Sequence, residues 1–147
     1  MSLRGDNSSA EAATLWVYVN IATGRPARLP PRFDESFRPS ADGRTVPARL
    51  RLPAPGLEAV DRRPWPLRFS DFDVLGHVNN ASYWEAVEEV LAERKDLRPP
   101  LRVDVEYGAG IGRGASVEVL SRQEADGALS LWLTADGVVA ASAYVSR

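Results

Sequence analysis

The sequence predicts an α+β domain in which one long helix packs on one face of an antiparallel sheet. An amphipathic stretch from about Asn80 to Glu93 precedes four β-rich runs, no second long helical pattern separates those runs, and Asp126-Gly127 and Asp136-Gly137 mark hairpins among them. At 147 residues the chain can bury about two-thirds of the surface its unfolded form exposes, enough for one core.

Taken in order, residues 1–13 are small, polar and uneven, and read as a tag-like, disordered start outside the fold. Residues 14–26 follow as one strand-like unit. Thr14 to Asn20 is aromatic and β-branched, Thr23-Gly24-Arg25-Pro26 supplies the turn that stops it, and nothing nearby can pair with it. Residues 27–64, rich in proline and scattered arginine, read as an extended linker. So long a loop is uncommon inside one compact domain. Leu15 to Asn20 is therefore expected to close a preceding unit, with this chain the C-terminal part of a longer protein.

Residues 65–147 form the predicted domain. Trp65 to Phe69 is expected as a short strand, followed by the helix, with Asn79 or Asn80 as its cap because an asparagine oxygen can accept from free first-turn amides. Tyr83, Val87, Val90 and Leu91 make one apolar stripe, and Glu85, Glu88, Glu89 and Lys95 lie opposite as a solvated face. Pro99-Pro100 ends the helical region. Strands are then expected at Leu101 to Tyr107, Ala115 to Ser121, Leu129 to Ala135 and Val138 to Val145, joined as a four-stranded meander.

Composition excludes several chemistries. Without cysteine there is no disulfide, thiolate nucleophile or cysteine zinc site, and one histidine cannot build a histidine-rich metal cluster. No metal or other cofactor is implied. A net charge of -2 argues against nucleic acid as partner. All the basic residues except Lys95 are arginine, which reflects either genomic base composition or a patch for an acidic partner or phosphate. No apolar run reaches the roughly 20 residues of a membrane span. A cytoplasmic protein is expected.

Chemistry concentrates between Asp71 and Tyr83, where two carboxylates, the only histidine and two asparagines precede the helix. A carboxylate beside a helix N-terminus combines a base with preorganised amide donors, as acyl transfer requires. A second group, Glu106 to Gly114, alternates glycines but lacks a following helix and a Lys-Ser or Lys-Thr pair. It reads as a bulged strand connection or as backbone that approaches a ligand closely.

Phe69-Ser70-Asp71-Phe72-Asp73-Val74-Leu75-Gly76-His77-Val78-Asn79-Asn80-Ala81-Ser82-Tyr83 resembles the signature of hotdog-fold thioesterases, in particular the acyl-acyl carrier protein (acyl-ACP) thioesterases of plastids and bacteria. The resemblance implies a hotdog fold, an antiparallel sheet wrapped around one long central helix. Those enzymes are tandem hotdogs, and Leu15 to Pro30 resembles the last strand of their first hotdog and the start of the linker. It further implies hydrolysis of fatty acyl-ACP or acyl-CoA in fatty acid biosynthesis, with a homodimer or a pair with an N-terminal hotdog as the assembly.

Carried over position by position, the motif puts the catalytic carboxylate at Asp73 and a histidine four residues later at His77. Leu75 stands where the family has asparagine, and Gly110 and Ile111 stand where it has glutamate or cysteine. Leu75-Gly76-His77 is closer to thioesterases of the 4-hydroxybenzoyl-CoA type, where an aspartate and helix amides do most of the work. Gly76, Val78, Asn79 and Asn80 are the expected substrate contacts.

Each assignment has a structural competitor. Asp73 could be a turn carboxylate, His77 a packed histidine, Asn79 and Asn80 caps, and Asp71 a partner for Arg68. Tyr83 and Trp84 could serve the core or a subunit contact instead of an acyl pocket. A hotdog that binds acyl groups without turnover also remains open. A hydratase is disfavoured, because that family spaces aspartate and histidine five apart with proline before the histidine.

Overall fold

The computed structural model describes residues 1–23, 25–41, 43, 52–56 and 61–147. They fall into two compact units, Met1–Arg49 and Leu50–Arg147. Among the described residues no helix is long and apolar enough to cross a membrane.

The first unit differs from expectation in three places. Strands β1 (Ser2–Arg4) and β2 (Ser9–Glu11) pair as an exposed antiparallel hairpin within the stretch expected to be disordered. Gly5 N–H donates to Ser8 O at 2.8 Å inside its turn, which gives so short a ribbon a closed end. The expected strand from Leu15 to Asn20 is reduced to one bridge between Val19 and Pro26. Asn20 explains the turn, its Oδ1 accepting from Ala22 and Thr23 amides at 3.0 and 3.1 Å. Gly24 of the predicted turn lies outside the described residues. Finally, helix α1 (Pro31–Ala41) occupies part of the expected linker. Its signal was present in the sequence: Pro31 suits a first helical position, and Phe33 and Phe37, four apart, meet at 4.5 Å between ring centroids.

The second unit is a five-stranded antiparallel sheet and one helix. Strand β3 is Asp61–Pro64, helix α2 is Asn80–Glu93, and β4 to β7 are Arg102–Tyr107, Val117–Gln123, Leu129–Ala135 and Val138–Ser146. The strand order is β3-β5-β6-β7-β4. Two expectations are corrected here. The edge strand precedes Trp65 instead of including it, because Pro64 and Pro66 limit the ladder and only the Trp65 amide still reaches the sheet, donating to Val117 O at 2.8 Å. The meander comprises β5, β6 and β7 only; β4 joins at the far edge, Arg102 to Tyr107 pairing with Ser146 to Ala141.

Period-2 alternation places the core. Leu129, Leu131 and Leu133 of β6, with Val117 and Val119 of β5 and Ala143 and Val145 of β7, join Tyr83, Ala86, Val87 and Val90 of α2 in one buried cluster. Each fully buried aliphatic side chain there contributes about 1.5–3 kcal/mol. The predicted stripe is borne out, with Leu91 at its partly buried margin. The opposite sheet face is also closed at β6, where Trp132 is 1% exposed, donates from Nε1 to Pro53 O at 2.7 Å and lies under the Arg122 guanidinium. A register shift at Leu133/Thr134 bulges β7, and the Ala140 carbonyl takes the Gly108 amide at 2.8 Å. That bond holds the chain just after β4, where the loop that meets His77 at Gly112 begins. Both predicted hairpin turns are present, with Gly127, Asp136 and Gly137 at φ 86°, 50° and 81°.

Candidate active site

The turn ahead of α2 is a small closed structure. Asp73 N–H donates to His77 O at 2.8 Å, and Gly76 N–H donates to Asp73 O at 3.1 Å. Gly76 at φ 78° supplies the left-handed residue that lets the chain reverse. Within this turn Asp73 Oδ1 accepts from Leu75 N–H at 2.9 Å and from His77 N–H at 3.0 Å. No intramolecular hydrogen bond involves Oδ2 among the described residues. One carboxylate oxygen is thus fixed by two amides and the other is open, in a half-buried side chain.

The turn is docked from both sides. Phe72 bridges Val78, His77 bridges Gly112, and Val78 N–H donates to Ile111 O at 2.9 Å. Asn79 N–H donates to Asp71 O at 2.7 Å, and Asn79 Oδ1 accepts from Ala81 N–H at 3.0 Å. Asn79 is therefore the helix cap and Asn80 the first helical residue. The Asn80 amide belongs to the first-turn donors that a helix leaves without an intrahelical acceptor. Tyr107 Oη braces that turn, donating to Asn80 O at 3.4 Å and accepting from Trp84 Nε1 at 3.0 Å. Burial pushes the phenols of Tyr83 and Tyr107 up, so both stay protonated donors at neutral pH.

The structure brings Asp73 and His77 together through the backbone amide of His77. Its exposed imidazole makes no hydrogen bond to Asp73 among the described residues. Leu75 contributes its amide while its side chain is 73% exposed, so replacing the family's asparagine leaves the Asp73 turn intact. The Gly110 backbone packs against the imidazole, and a Cβ built there would lie 3.4 Å from His77 Cδ2. Ile111, 1% exposed, points into the core. Of the two positions where the family carries glutamate or cysteine, Gly110 is thus the one that faces the histidine. Val78 is buried, whereas Gly76, Asn79 and Asn80 are accessible around the turn. Tyr83 is core, and Trp84 is a partly exposed brace.

Asp71 proves structural. It is 2% exposed, and its Oδ2 accepts from Arg68 N–H in a tight turn while Oδ1 takes Arg68 Nε at 3.0 Å. The same guanidinium continues to Glu85 on α2, tying the turn to the helix. Burial alone would push Asp71 up, but the Arg68 amide, the guanidinium hydrogen bond and its charge outweigh it and hold the carboxyl below 3.8. Because the folded value is depressed, this stabilisation is present above the unfolded value and is lost as pH falls through the folded one. Asp71→Asn should cost about 1.5–3 kcal/mol at neutral pH and flatten the acid decline of stability. Denaturant unfolding of both proteins between neutral pH and pH about 2 checks this; parallel acid slopes would contradict it. The difference between the two proteins is what reports on Asp71, since Arg94 also holds Asp96 down at about 2.

Comparison with known proteins places the chain in a family. Residues 56–143 match the model described as the acyl-ACP thioesterase C-terminal domain. An uncharacterized protein of Mycobacterium tuberculosis is 30% identical over 132 residues, covering 90% of this chain and 52% of the relative. The 12:0-ACP thioesterase of Umbellularia californica superposes with a TM-score of 0.66 at 19% identity, over 87% of this chain and 52% of that one. A Lactobacillus plantarum protein assigned as an oleoyl thioesterase gives a TM-score of 0.62 at 25% identity, over 88% and 52%. The chain belongs to the acyl-ACP thioesterase family, and its sheet and helix form a hotdog fold. It spans about half the length of the relatives it matches.

Proposed function

We propose that this chain is the catalytic C-terminal half of an acyl thioester hydrolase acting on fatty acyl-ACP or acyl-CoA. The observation that carries the reading is Asp73: one oxygen is anchored by the Leu75 and His77 amides, the other is open, and the first turn of α2 begins seven residues on. Membership of the thioesterase family supports the reaction class, and the name of the Lactobacillus plantarum relative supports a fatty acyl chain.

In the reaction, Asp73 removes a proton from water as the oxygen attacks the thioester carbonyl. Attack by Asp73 itself, through an anhydride that water then opens, uses the same geometry. The carbonyl oxygen becomes an oxyanion held by the Asn80 amide at the positive end of α2, since Ala81 and Ser82 N–H already donate to Asn79, and one good donor is worth roughly 3–4 kcal/mol. Collapse expels the thiolate and leaves the carboxylic acid. His77, exposed beside the turn, can protonate the thiolate, although a thiolate leaves well without much help. Gly76, Val78, Asn79 and Asn80 form the rim against which the thioester lies.

Residues 14–26 serve as the end of a preceding hotdog, 27–64 as the linker, and the complete assembly pairs two hotdogs in one chain or across a dimer. The exposure of Leu15, Trp16, Val17 and Tyr18 supports a missing partner for that run. Carrier-protein thioesters are intermediates of fatty acid synthesis, so that cytoplasmic process is where the activity belongs.

A second reading, acyl binding without turnover, is favoured by Gly110, which sets bare backbone against His77 where the family carries an acid or thiol. Thiol release from carrier-protein and CoA esters of one acyl chain separates the two. Turnover supports the hydrolase. Binding of an acyl thioester without release supports the second reading, and neither binding nor release removes both.

A further inference from the structure

An open cleft of about 390 Å³ adjoins the Asp73 turn, lined by Leu67, Arg68, Phe69, Phe72, Arg113 and Ala115. Its two cations are differently placed. Arg68 is committed to Asp71 and Glu85. Arg113 meets no carboxylate among the described residues; its guanidinium carbon lies 4.5 Å from the Phe72 ring centroid and 5.1 Å from that of Phe69. The guanidinium lies over both rings with no carboxylate partner among the described residues, and its fork of N–H donors is suited to a bidentate anion. Phe69 is 83% exposed, so an apolar wall stands in water beside an unneutralised cation. Chain connectivity sets this cleft next to the chemistry: Phe72 precedes Asp73, and Arg113 follows Gly112, which bridges His77.

The geometry points to a subsite for the phosphate end of a phosphopantetheine arm. The ligand's chemistry matches the lining. Its phosphate ester is attached through one methylene to a carbon bearing two methyl groups, so an anion and a compact apolar group arrive together. Arg113 takes the phosphate in a charge-assisted fork, and Leu67 and Phe69 cover the dimethyl carbon. Arg68 contributes its aliphatic stem to the wall while its charge stays on Asp71 and Glu85. This inference rests on the thioester-hydrolase reading for its choice of anion, because both CoA and a holo carrier protein present that arm.

Calorimetric binding of 4′-phosphopantetheine and of pantetheine, which lacks the phosphate, tests it. The wild-type protein should bind the phosphorylated compound about ten-fold more tightly, the loss expected for one charge-assisted pair. Arg113→Met should erase that difference, and Arg113→Lys should keep part of it. CoA and holo carrier protein should both weaken in Arg113→Met. Equal wild-type affinities for the two small compounds would overturn the assignment without recourse to any variant. So would weakening confined to CoA, which would give Arg113 to the nucleotide phosphates, or confined to the carrier protein, which would give it to the protein surface. Failure of the hydrolase reading shows separately, as absent thiol release while phosphate-dependent binding persists.

Discussion

Trp132→Ala should lower the unfolding free energy by about 3–5 kcal/mol, the range for emptying a buried aromatic site. The side chain is 1% exposed in the central strand β6, on the face away from α2. Alanine there would also orphan the Pro53 carbonyl, which now accepts the indole N–H at 2.7 Å, and would strip the surface under Arg122. Since small domains are stable by only about 5–15 kcal/mol, the variant should unfold at markedly lower denaturant. Trp132→Phe separates the two contributions. It keeps most of the buried volume, so its loss should be nearer the about 1–3 kcal/mol of an unsatisfied buried acceptor. A wild-type denaturation midpoint for Trp132→Ala would show that residues 52–56 do not close this face of the sheet.

Asp73→Asn should reduce kcat for thioester hydrolysis by about a hundred- to ten-thousand-fold, the usual worth of a positioned acid or base. Fold stability should change by less than about 1 kcal/mol, because the amide oxygen of asparagine can still accept from Leu75 and His77 N–H as Oδ1 does now. That separation matters. A residue that merely shaped the turn would lose stability and activity together, whereas a base loses activity alone. Steady-state thiol release beside denaturant unfolding reads both quantities for the same preparation.

Much of this arrangement was legible in the sequence, for identifiable reasons. Helix α2 spans the expected Asn80 to Glu93 because its cap, apolar stripe and charged face agree with one another. Strand β6 and both Asp-Gly hairpins appear where alternation and turn chemistry placed them. The crossing of β4 to the far edge was not legible, since local alternation carries no information about which neighbour a strand takes. Proline hid α1 and displaced β3, because the same residue that interrupts a ladder also begins a helix. In the site, the Asp71–Arg68 pair was one of the sequence's alternatives, and the cap was narrowed to Asn79 or Asn80, of which the structure selects Asn79. That Leu75 matters through its amide and Gly110 through its bare backbone could not be read from side-chain identity. Arg113 was passed over because only the folded chain stacks it on two rings that are 41 and 44 positions earlier in sequence.

The central claim is that the Asp73 carboxylate activates the attacking oxygen at the start of α2, and chemical rescue tests it most directly. Asp73→Ala opens a space at the turn into which formate can bring a carboxylate from solution. Thiol release from an acyl thioester should fall in the variant, recover in part with added formate, and remain unaffected by formate in the wild-type protein. An alanine variant that releases thiol at the wild-type rate, with no response to formate, would contradict the account.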